Sequence, residues 1–143
     1  MTILSDHQIA LVRSSYDRIL PVAEETGDLF FSRLFEIAPY VRPLFHGDIH
    51  LQGRKVMEML TFIVISADDL EQLTPRLHRL GKEHREHGVI SGHYDIFASA
   101  LLWTLERMLG REFTDDVRNA WVALYVEVTA PMKKGAAGEP KAA

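Results

Sequence analysis

The chain has 143 residues, of which 47% are hydrophobic and 25% charged; its net charge is −4 with histidines neutral, and it contains no cysteine. That length suits one domain with a substantial core, the composition is that of a folding chain, and the missing cysteines exclude disulfides, thiolate metal sites and thiol nucleophiles. No basic run exceeds Lys133-Lys134 and no apolar run approaches a membrane span, which argues against nucleic acid or a membrane as partner; the start "MTILSDHQ" lacks a basic stretch followed by an apolar one, so a cytoplasmic location is expected.

Apolar residues recur at three- and four-residue spacing and no Asn-Gly or Asp-Gly hairpin turn occurs, so an all-α chain is expected. Ser5 with Gln8 forms a capping box ahead of Ile9, Val12, Tyr16 and Ile19, and Pro21 ends the first helix. The second carries Leu29, Phe30, Phe31, Leu34 and Phe35 and stops at "IAPY", where Pro39 can open a short helical turn. After "HGDI" a third helix is expected from about Leu51 to Ser66, with Gln52, Val56, Met59, Leu60 and Ile63 as its buried face.

A fourth helix is read from Leu70 to His87, closed by Gly88 in a left-handed conformation. Ser91 is expected to cap the fifth, with Tyr94, Phe97, Leu101, Leu105 and Met108, ended by Gly110. Thr114 caps the last, with Val117, Trp121, Leu124, Tyr125 and Val128. Residues 1–133 are expected to form the domain and 134–143, small and polar with Gly and Pro, a disordered tail.

The stretch "LTPRLHRLGKEHREHGV" holds the chemistry. Leu73, Leu77 and Leu80 make an apolar stripe whose next position is His84; His87 falls near the same face and His78 lies off it. A histidine on a buried stripe is more often a core residue bonded to a carbonyl than a ligand. For His87, at a helix C-terminus, the macrodipole is reason enough. The zinc-protease motif His-Glu-x-x-His, paired Glu-x-x-His motifs for a di-iron centre and a Gly-x-Ser-x-Gly elbow are all missing. His84 and His87 as an i, i+3 pair would make a weak site for a bare ion, with no third ligand evident. One imidazole among apolar side chains suits a haem better, since haem brings four nitrogens of its own.

In this order and spacing the residues resemble a globin, from about Ser5 to Met132. "PYVRPLF" resembles the turn that lays an aromatic ring, here Phe45, against the haem. "QGRKVM" resembles the start of the distal helix, with Gln52 facing the ligand and Val56 one turn deeper, and "LGKEHREHGV" resembles the proximal helix, with His84 as the iron ligand. "SGHYDIF" resembles the following helix of bacterial single-domain, flavohaemoglobin-like globins, and the spacing from Gln52 to His84 resembles both that group and the neuroglobin-like branch. The resemblance implies a three-over-three helical sandwich lacking the D helix, with haem b as cofactor. Leu80, Val89, Tyr94 and Phe97 would wall the proximal side and haem edge, and Arg54, Lys55 and His87 would be candidates to pair with the propionates, although each also suits a solvated helix face or end.

The chain departs from the family at two places. Where the bacterial relatives place a distal tyrosine, this chain has Phe31, which cannot donate a hydrogen bond, so weaker oxygen retention is expected. The proximal glutamate of the flavohaemoglobin-like group would fall at about Ala136, and Glu127 lies too early to replace it. His46 and His50 precede the distal helix and are candidates for the sixth iron position, although loop histidines ordinarily lie on the surface. The resemblance implies reversible binding of oxygen, carbon monoxide or nitric oxide by a monomer or homodimer, with nitric oxide detoxification or nitrite reduction dependent on an external reductase. The competing reading is a haem-based gas sensor acting through a protein partner. No catalytic residue is assigned.

Overall fold

A computed structural model describes residues 4–137, and among them there is no strand. Six α-helices follow one another: α1 Asp6–Ile19, α2 Ala23–Ile37, α3 Ile49–Ile65, α4 Thr74–Glu86, α5 His93–Leu109 and α6 Asp115–Ala137. Short 3₁₀ turns lead into or between them at Leu20–Val22, Pro39–Leu44, Leu70–Leu73 and Gly110–Glu112. No further helix stands between the Pro39–Leu44 turn and α3, as the missing D helix requires. None of these helices is long and apolar enough to cross a membrane.

The boundaries follow local chemistry. The Ser5 hydroxyl accepts from the Gln8 amide while the Gln8 side chain accepts from the Ser5 amide, both at 3.1 Å, which closes the capping box. The Asp48 carboxylate accepts the His50 amide at 2.9 Å and starts α3 two residues before the expected Leu51. The Thr114 hydroxyl accepts the Val117 amide at 3.2 Å. Gly88 and Gly110 take positive φ after α4 and α5, as helix-ending glycines can without a Cβ clash.

Four expectations need correction. The span Leu70–His87 is not one helix: a 3₁₀ turn covers Leu70–Leu73, and α4 begins at Thr74, where Pro75 suits the first helical turn because its missing N–H would be unsatisfied there anyway. Gly92, not Ser91, is the N-cap of α5. The tail is not disordered from Lys134, since α6 runs through Ala137; residues 138–143 lie outside the described part. On α3 the fully buried residues are Gly53, Met57, Ile63 and Val64, whereas Gln52, Val56, Met59 and Leu60 are half-buried. The Gly53–Met57–Val64 side packs toward α1 and α2, and the side chosen from the sequence is left partly open.

The core is held by close helix contacts. Gly27 of α2 faces Gly53 of α3 so closely that a Cβ on Gly27 would stand 2.8 Å from the Gly53 carbonyl oxygen. At the contact of α4 with α6, a Cβ on Gly81 would overlap the Met132 carbonyl, and one on Gly135 would overlap the carbonyl of His78. Between α1 and α6, buried Trp121 donates to the Ser15 hydroxyl at 2.9 Å, and between α1 and α3 the Tyr16 hydroxyl donates to the Met57 carbonyl at 3.0 Å. These bonds satisfy the polar atoms that burial would otherwise strand.

Candidate functional site

Two apolar clusters make up the interior. One centres on Phe30, Phe31, Leu34, Val41 and Ala100; the other runs from α1 through α6 and takes in Leu77, Val89, Tyr94 and Trp121. Half-buried Leu44, Phe97 and Leu101 pack against both. Large apolar side chains left half-open inside a fold mark surface that the chain itself does not cover.

Aromatic rings run along this seam. Phe31 lies 4.9 Å from Phe45, Phe45 lies 6.2 Å from Phe97, and Phe97 lies 6.4 Å from Tyr94, all edge-on, between ring centroids. Phe31 is 1% exposed and Val56 packs into the same cluster as Phe45. Four elements therefore bring together residues far apart in the chain: α2 supplies Phe31, the segment after the Pro39–Leu44 turn supplies Phe45, α3 supplies Val56, and α5 supplies Tyr94 and Phe97. Leu80 and Val89 belong to the second cluster.

α4 packs principally on α6, and α3 on α2, so the helices bearing His84 and Gln52 are anchored on different neighbours. His84 is half-buried, one turn beyond Leu80. Its Nδ1 lies 2.7 Å from the Leu80 carbonyl oxygen. A carbonyl only accepts, so Nδ1 carries the proton and Nε2 keeps its lone pair free to bind a metal. His87 makes the same bond to the Glu83 carbonyl at 2.7 Å but is exposed, so burial separates the two histidines where hydrogen bonding does not.

The other polar candidates lie outward. The Gln52 amide donates to the His46 carbonyl at 2.9 Å, which ties the first turn of α3 to the preceding loop. His50 bonds Asp28 of α2 at 2.9 Å, with Glu24 at 4.0 Å, and the Asp28 carboxylate beside it raises its pKa. His46, Arg54 and Lys55 are exposed, and the two cations make no ion pair among the described residues.

The sequence did not single out Leu44, which joins the two clusters and whose Cδ2 would stand 3.0 Å from a Cβ on Gly88, at the corner after α4. Its neighbour Phe45 was the available signal. Ala136 lines a cleft with Arg85 and Tyr94, whereas Glu127 lines a separate cavity of about 200 Å³ with Leu70, Thr74 and His78.

The globin family profile matches residues 28–132, and the chain belongs to the globin family. It is 32% identical to the neuroglobin of Tetraodon nigroviridis, over 97% of this chain and 98% of that one. Neuroglobin-2 of Oncorhynchus mykiss is 31% identical, over 92% of each chain. Among solved structures, a hexacoordinated heme protein from an anhydrobiotic tardigrade superposes with a TM-score of 0.84 at 15% identity, covering 94% of this chain and 96% of that one. The all-α globin fold expected from the sequence is thus the fold observed.

Proposed function

We propose that the chain holds haem b in the seam, with His84 as the proximal iron ligand, and reversibly binds diatomic gases. The single observation that carries this reading is His84 itself. Its Nδ1 is held by the Leu80 carbonyl, its Nε2 is free, and half-buried apolar side chains lie along the seam. The donor set fits a haem rather than a bare ion, because no group of three metal-ligating side chains occurs among the described residues.

Haem supplies the iron to which oxygen, carbon monoxide or nitric oxide attaches; the residues of the chain set its surroundings. The Leu80 carbonyl fixes the tautomer and ring orientation of His84 and makes it a better donor. Phe45, Val56, Leu80, Val89 and Phe97 exclude water, with Tyr94 at the proximal edge. Arg54, Lys55 and His87 are assigned to the mouth, where cations offset the propionates. On the distal side Phe31 offers no hydrogen bond and the Gln52 amide is engaged by the His46 carbonyl, which favours weak retention of oxygen.

His50 is tied to Asp28, the Gln52 amide to the loop, and His46 is exposed, so the sixth iron position is assigned to exogenous ligand, unlike the tardigrade protein, which is described as hexacoordinated. The neuroglobin relatives favour the neuroglobin-like branch over the flavohaemoglobin-like one. Nitric oxide consumption or nitrite reduction would draw electrons from a separate reductase.

Absorption spectra of the ferric, ferrous and carbon-monoxide-treated protein beside His84→Ala test the reading. The expected result is a Soret band that shifts with carbon monoxide and is lost or altered in the variant. A failure to take up haem on reconstitution would remove the proposal and leave only the fold.

A further inference from the structure

A cleft of about 420 Å³ stands where the end of α4, the corner after it, the start of α5 and the last turns of α6 meet. Its lining brings together two cations, Arg85 and Lys133, with the buried phenol of Tyr94, and among the described residues includes no carboxylate. In a chain of net charge −4 that is a local reversal of sign. Val89, Ile90 and Ala136 supply the apolar part, and Ile90 is 63% exposed at its edge.

Tyr94 is the second observation. The residue is 3% exposed, yet its hydroxyl has no hydrogen-bond partner among the described residues. Buried hydroxyls normally find partners, so this one is a donor waiting for an acceptor. Burial also raises its pKa, which keeps it protonated. The neighbouring Tyr125 hydroxyl is already spent on the Tyr94 carbonyl at 2.5 Å, so it does not compete for the same ligand.

The cations are positioned as well. Lys133 Nζ stands 5.5 Å above the centroid of the Tyr94 ring, and it makes no ion pair among the described residues. Arg85 donates from Nη1 to the Ala136 carbonyl at 2.5 Å, which fixes the guanidinium at the cleft and, among the described residues, leaves its other N–H groups unspent.

We propose that this cleft binds a small amphipathic monocarboxylate, its carboxylate held by Lys133, Arg85 and the Tyr94 hydroxyl and its short aliphatic tail lying on Val89, Ile90 and Ala136. The volume is in the range of small-ligand sites. A carboxylate accepts from both cations and the phenol at once, whereas an alcohol of the same length offers no charge. The cleft borders the proposed haem seam and shares Val89 and Tyr94 with it, while Arg85, Lys133, Ile90 and Ala136 belong to the cleft alone.

Calorimetric titration of the full chain with octanoate, 1-octanol and inorganic phosphate tests the proposal. Octanoate is expected to bind, 1-octanol to bind about tenfold more weakly or worse, and phosphate not to bind measurably. Lys133→Gln, at an exposed position that leaves the fold intact, should weaken octanoate about tenfold, and Ala136→Leu should abolish binding by filling the cleft. Tyr94→Phe should weaken octanoate while leaving the melting temperature of the ligand-free chain unchanged or higher, the reverse of what a hydroxyl with a structural role would show. Equal affinity for octanoate and 1-octanol, no octanoate binding, or octanoate binding untouched by Lys133→Gln and Ala136→Leu would each overturn it, the last by placing the ligand elsewhere.

Discussion

α4 meets the rest of the molecule in two different ways. Along one line Leu77 and Gly81 are buried against α6, with backbones so close that Gly81 and Gly135 leave no room for a methyl group. Along the adjacent line Leu80 and His84, also one turn apart, are only half-buried. The first contact is complete without any ligand; the second leaves apolar surface and an imidazole nitrogen open. Close packing anchors the helix, so that the open line can be held in place.

The comparison can be broken most severely at the closed contact. Gly81→Ala puts a methyl group into the Met132 carbonyl, and α4 must part from α6. Overpacking of this kind should cost about 3 kcal/mol of stability in thermal or urea unfolding, and should also lower haem retention because α4 carries His84. Gly92→Ala is the control: its φ is negative and no atom stands within 4 Å of the added methyl, so stability should stay within about 0.5 kcal/mol of the parent chain.

At the open line the expected pattern is reversed. His84→Ala should remove the proposed proximal ligand and with it the native haem spectrum, while changing the unfolding free energy of the haem-free chain by less than about 1 kcal/mol, since the residue is half-buried. A large loss of stability in the haem-free variant would show His84 to be a core residue rather than a ligand.

Across the seam, Phe31→Tyr should slow oxygen release roughly tenfold if its hydroxyl gains a hydrogen bond to the ligand. Stopped-flow release from the two proteins measures this, and a faster off-rate in the tyrosine variant would contradict the assignment of Phe31 to the distal side. The smallest effect is expected at the surface. His50 has its pKa raised, first by the hydrogen bond its ring donates to Asp28. The pair therefore stabilises the fold fully below the unfolded histidine pKa and loses that contribution as pH rises through the raised folded value. His50→Gln should flatten this part of the pH–stability curve, and added salt should shrink the difference because the pair is exposed.

The sequence by itself determined the helices, their order and most of their ends, because caps and periodicity are local: Ser5 with Gln8, Thr114, Gly88 and Gly110 act within a few residues of themselves. It also marked His84, since a polar ring on a leucine stripe is visible without any neighbour, and it named Phe31, Phe45, Val56 and Phe97, which the fold gathers along one seam.

Only the tertiary structure decided how that stripe divides, with Leu77 buried and Leu80 and His84 left half-open, because periodicity reports which side of a helix is apolar and not how completely a neighbour covers it. It likewise decided that Gln52 bonds the His46 carbonyl, that α6 continues to Ala137, and that Arg85, Tyr94 and Lys133 share a cleft. Each of these depends on contacts between segments distant in the chain, and a small, polar run such as Lys134–Ala137 becomes helix where Gly135 can pack directly on the backbone of α4.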